Sequence, residues 1–120
     1  MNSDVVCSDN DIEELNTLLS RMVSIQTESP AGKGYEQFVR FVESWAISRL
    51  SSYQIEVVEV PSKSYSNYAD LAAKFVGPRL NLLLKARNRT GKVVNVNGHF
   101  DVVMAGEPER WAVTKPFEPT

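Results

Sequence analysis

The residues best suited to chemistry lie in one short stretch, Asn97-Gly98-His99-Phe100-Asp101-Val102-Val103, which holds the single histidine of the 120-residue chain. An imidazole is a metal ligand and a proton-transfer group near neutral pH, and a carboxylate beside it orients the ring and tunes its basicity. Residues i and i+2 of a strand face the same side, so His99 and Asp101 are expected to project together from the end of a β-rich run. Glu107 and Glu109 follow shortly after, but nothing in their spacing aims them at His99, and they read as solvated loop charges. A catalytic zinc takes three protein ligands plus water, which one histidine and unfixed carboxylates do not supply. Cys7 is the only cysteine. It excludes an internal disulfide and a cysteine-based zinc finger, and it fits a reducing compartment.

The elements that must position this pair follow from periodicity. Asp9, Asn10 and Asp11 offer N-caps, and Ile12, Leu15, Leu18, Leu19, Met22 and Val23 recur at spacings of three and four, predicting an amphipathic helix over 11–25. Residues 27–34, with one proline and two glycines, break it. A second helix over 35–50 carries Phe38, Phe41, Val42, Trp45 and Ala46 as a core stripe. Residues 55–60 read as a β-branched strand near an edge, and 68–76 as a short helix ended by Gly77-Pro78. Residues 81–87 and 92–97 flank Asn88-Arg89-Thr90-Gly91, predicting an antiparallel hairpin, and 104–120, with Pro108, Pro116 and Pro119, reads as irregular.

Composition bounds the function classes. The chain is 42% hydrophobic and carries 13 basic against 15 acidic residues, a formal charge of -2, which gives no basic patch for nucleic acid or an anionic membrane. No apolar run is long enough for a secretory signal or a membrane span, so the expected compartment is the cytoplasm.

The block around His99 resembles the first conserved block of the di-zinc amidohydrolase and exopeptidase family of acetylornithine deacetylase, succinyl-diaminopimelate desuccinylase, aminoacylase and glutamate carboxypeptidase. That block is an apolar strand, Gly-His-x-Asp-Val-Val-Pro, an acidic glycine turn, a tryptophan and a Pro-Phe pair. Here it stands as residues 93–107 followed by Trp111 and Pro116-Phe117, with Met104 in place of the family's proline. Two helices, the loop with Thr27, Ser29 and Pro30, a strand and an asparagine-led strand at Asn81 also follow the family's order, so the likeness covers nearly the whole chain.

The resemblance implies an α/β fold in which two N-terminal helices pack on the start of a mixed sheet, part of a zinc-exopeptidase catalytic domain. It implies His99 as a terminal zinc ligand, and Asp101 as the catalytic-site carboxylate that hydrogen-bonds to it and fixes its tautomer. Gly98 is implied as a point of close backbone passage, and Trp111 and Phe117 read as apolar loop anchors. The implied reaction is hydrolysis of the amide bond of an N-acyl amino acid or peptide by a water activated between two zinc ions, with cobalt as a substitute metal. The family's bridging aspartate, glutamate base, further carboxylate and second histidine come after the Pro-Phe segment. The chain is accordingly read as the N-terminal part of a catalytic domain, residues 1–120. Its lid or dimerisation domain, with the homodimer that domain would make, is not included. The chain is expected to be inactive and to retain no metal alone. The competing reading is a non-enzymatic truncated protein or interaction module, with exposed strand edges that promote self-association.

Overall fold

A computed structural model describes residues 6–120; the part of the leader expectation that falls on residues 1–5 lies outside the described residues. The architecture is mixed α/β, with two long helices, a third of one turn, and a two-stranded antiparallel sheet.

Helix α1 spans Asp9–Val23, starting two residues before the predicted point because Ser8, not Asp9–Asp11, is the N-cap. Asp11 Oδ2 accepts from the Ser8 backbone N–H at 2.8 Å and from its hydroxyl at 2.7 Å, while the Asp11 N–H donates back to Ser8 Oγ at 3.2 Å. This reciprocal capping box satisfies donors at the helix start, and the two Ser8 bonds hold the Asp11 carboxyl below the usual aspartate range. The apolar stripe of α1 contributes no buried residue. Leu18 and Met22 are half-buried, whereas Ile12, Leu15, Leu19 and Val23 stay exposed. Among the described residues helix α2, Tyr35–Arg49, is the only helix against it, and the two are joined at their polar margins by the Arg49–Glu14 ion pair at 2.7 Å and by the Arg21 guanidinium over the Phe41 ring at 4.5 Å.

Helix α2 is the centre of the molecule. It packs on both strands, and it contributes Tyr35, Phe38, Val39 and Ala46 to a small core completed by Ile25. The predicted stripe is rotated: Val39 is the most enclosed large side chain, while Phe41, Val42 and Trp45 are half-buried.

Strand β1, Tyr53–Glu59, pairs with β2, Leu80–Ala86, in a register that sets Ile55 opposite Leu84 and Val57 opposite Leu82. Between them a 3-10 segment, Ser62–Tyr68, precedes α3, Ala69–Ala72, so the helix predicted over 68–76 is present but shortened to a single turn. The predicted partner strand 92–97 forms no ladder, and among the described residues its backbone makes no hydrogen bond. The reason lies in the register a four-residue connection would impose. Lys92 would face Arg87, and Asn95 and Asn97 would fall opposite Leu84 and Leu82, opposing like charges and interrupting an apolar row. Residues 104–120 are irregular as expected, apart from one 3-10 turn at Pro108–Arg110. The radius of gyration, 17.6 Å, exceeds the ~14 Å of a compact chain this long, in keeping with a core confined to the surroundings of α2.

Candidate functional site

His99 and Asp101 do meet, but by a route other than the strand expected for them. The connection between α1 and α2 grips the segment that carries them. The Thr27 hydroxyl, on a residue 4% exposed, donates to the Phe100 carbonyl at 2.7 Å. The Thr27 carbonyl accepts from the Val102 N–H at 3.0 Å, and the Ser29 N–H donates to the Val102 carbonyl at 2.8 Å, closing a parallel bridge at Glu28 and Val102. Glu28 Oε1 then takes the Ala105 N–H at 2.7 Å.

Phe100 turns this grip into an orientation. Its ring stacks on Phe38 with centroids 4.6 Å apart and meets Tyr35 edge-on at 5.2 Å, so the middle residue of the His-x-Asp triplet is drawn toward the core of α2. Its two neighbours are left on the outer side. The His99 side chain is 85% exposed, and its Nδ1 lies 3.0 Å from Asp101 Oδ1 and 3.0 Å from the Asp101 carbonyl. Both partners can only accept, so Nδ1 carries the hydrogen and, in the neutral ring, Nε2 is left with its lone pair toward solvent. That is the tautomer a metal ligand needs.

The ring stands on a ridge between two clefts. One, of about 590 Å³, is apolar and lined by Met22, Ile25, Phe38, Val102, Trp111 and Phe117. The other, of about 340 Å³, brings Asp101, Asn81, Tyr35 and Arg79 to the opposite side of His99.

The gripping loop is itself pinned from behind. Arg79 Nη2 donates to the Pro30 and Ala31 carbonyls, and the guanidinium lies over Phe75 at 3.6 Å and Tyr35 at 4.8 Å, so its face is satisfied by rings while Nε and Nη1 have no hydrogen-bond partner among the described residues. Two glycines make this closeness feasible. Gly32 has φ +67° and stands with Tyr35 where a Cβ would come within 2.8 Å of the ring, and a Cβ on Gly34 would run into the Gln26 carbonyl.

The remaining site expectations divide. Gly98 is not a point of close passage: its φ is ordinary and a Cβ there would meet nothing within 4 Å. Trp111 donates Nε1–H to the Ala105 carbonyl at 3.1 Å, and Phe117, at φ 61°, is half-buried beside it in the apolar cleft. Glu107 faces Arg110 at 3.7 Å. Among the described residues no three His, Cys, Asp or Glu side chains gather where a metal ion would sit. Thr27, Glu28 and Phe100 are the positioning residues that reading the sequence did not assign. The only trace they leave is an aromatic between two polar residues.

No family model, curated protein or solved structure matches the chain. Among the described residues no helix is long and apolar enough to cross a membrane.

Proposed function

We propose that this chain furnishes the first metal-ligand block of a metal-dependent amide hydrolase, with His99 as a terminal ligand through Nε2 and Asp101 as the group that holds its tautomer. The observation that carries the reading is the Nδ1–carboxylate contact at 3.0 Å on an exposed ring. The residue resemblance to the di-zinc amidohydrolase and exopeptidase family supports it and supplies the reaction class, hydrolysis of an N-acyl amino acid or peptide. In this reading residues 1–120 are part of a zinc-exopeptidase catalytic domain, and the two strands are the beginning of its mixed sheet. In the family the other metal ligands and the proton-transferring glutamate follow the Pro-Phe segment, and the same order is proposed for this protein. Zinc or cobalt bound at the complete site would polarise the scissile carbonyl and activate water; this chain's own part is to present one nitrogen in the required tautomer.

The test uses the lone histidine as its own reporter. Its ring nitrogen shifts are expected to show the Nδ1–H tautomer, zinc is expected to perturb Nε2 weakly, and the purified chain with added zinc is expected to turn over neither N-acyl amino acids nor dipeptides. A dominant Nε2–H tautomer, or zinc shifts unchanged in Asp101→Asn, would overturn the ligand assignment. Turnover above a His99→Ala control would overturn the inactivity of the chain alone.

A further inference from the structure

Arg79, directly before β2, is held in a way that pairing of charges does not explain. Its guanidinium donates to the Pro30 and Ala31 carbonyls and lies over the Phe75 and Tyr35 rings. Among the described residues no acidic side chain pairs with it, and Nε and Nη1 are buried without a hydrogen-bond partner. A cation so placed costs free energy that an apolar side chain of similar length would not. What the guanidinium supplies is a junction. The Val60 N–H donates to the Arg79 carbonyl at 2.7 Å, which fastens its backbone to the end of β1, and the Val76 N–H donates to the Ala31 carbonyl at 2.9 Å.

Two routes run from this junction to the His-x-Asp triplet. Along the backbone, the loop that Arg79 holds turns on the bond from the Gly32 N–H to the Glu28 carbonyl at 2.9 Å, and Thr27, Glu28 and Ser29 grip residues 100–105. Along the rings, Arg79 lies over Tyr35, and Tyr35 meets Phe100 edge-on. Both routes converge on Phe100 and the bonds beside it, between His99 and Asp101. Arg79 itself makes no hydrogen bond or ion pair with either of them among the described residues. We propose that Arg79 is a positioning residue for the site: acting through the 27–32 loop and Tyr35, it holds His99 against Asp101 and so sets the Nδ1–H tautomer. The element it biases has two states, a ring held by Asp101 or a ring turning free in solvent. The use of that tautomer in metal binding rests on the functional reading above, whereas the coupling itself does not.

The lone histidine of the full 120-residue protein reports the coupling. Its ring nitrogen shifts are read in the alkaline range, where an imidazole is neutral. Arg79→Met, of similar length and without donors, is expected to lower the ratio of Nδ1–H to Nε2–H tautomer at least about threefold. Ala46→Gly, a buried change near the other end of α2, is expected to lower the urea midpoint and leave the ratio as in the wild type. Arg79→Lys keeps the charge and a donor but not the planar fork. Its ratio is expected between those of the wild type and Arg79→Met, and it carries the test alone where the Met variant does not fold. An unchanged ratio in the folded Arg79 variants sinks the proposal, and so does an equal shift in Ala46→Gly, which would show that the ring follows overall stability. Either result, with Nδ1–H dominant in the wild type, leaves the ligand reading standing. A wild-type ring dominated by Nε2–H removes both.

Discussion

Two adjoining stretches, 92–97 and 100–105, are both rich in apolar residues and yet meet opposite fates. The second is fixed by hydrogen bonds to Thr27, Glu28 and Ser29 and by two aromatic contacts to α2. The first has exposed valines and no backbone partner among the described residues. The difference shows that the His99–Asp101 pair owes its geometry to the grip behind it and not to the run that leads into it. It also shows why the pair survives the loss of the predicted strand: alternation about Phe100 is enforced by the contacts of that one half-buried ring with Phe38 and Tyr35.

The comparison breaks most completely if the grip is removed. Phe38→Ala deletes a buried ring together with its stack on Phe100, and is expected to lower unfolding free energy by about 3–5 kcal/mol in urea denaturation, while freeing His99 from Asp101 as read by the ring nitrogen shifts. Thr27→Val leaves the Phe100 carbonyl without its donor in a part-buried place and is expected to cost about 1–3 kcal/mol, measured the same way. The tautomer should loosen in parallel.

Acid offers a probe of the start of α1. Asp11 has a folded-state pKa below its unfolded value, so its cap stabilises the helix above the ordinary aspartate range near pH ~4 and is lost as pH falls through the lower folded value. Amide exchange in the first turn of α1 is expected to accelerate over that acid window, and an Asp11→Asn protein should show no such step. Smallest is the expected effect of Val96→Lys, within about 0.5 kcal/mol by urea denaturation, since the side chain is 90% exposed.

What was legible from residue order is what local spacing controls. The helix over 35–50 was legible to within a residue of its end because its aromatic stripe recurs at helical period; the one over 11–25 was displaced by two residues, because Ser8 captures Asp11 in a capping box and so takes the N-cap from the aspartates. Both strands of the observed sheet were legible as β-branched or leucine runs, but their mutual pairing was not, because register is a property of two segments and not of one. The apolar face of α1 was legible as a stripe, whereas its exposure was not, since burial requires a neighbour and α2 engages only one margin.

The same division holds for the candidate site. The sequence by itself determined the reagents: one imidazole, a carboxylate two positions on, and an aromatic between them, types whose chemistry does not depend on the fold. Only the tertiary structure decided that they act as a unit. The Thr27–Phe100 hydrogen bond joins residues 73 positions apart, and no periodicity carries information over that distance; contacts of that span arise when side chains compete for the little buried volume around α2, and Phe100 occupies it.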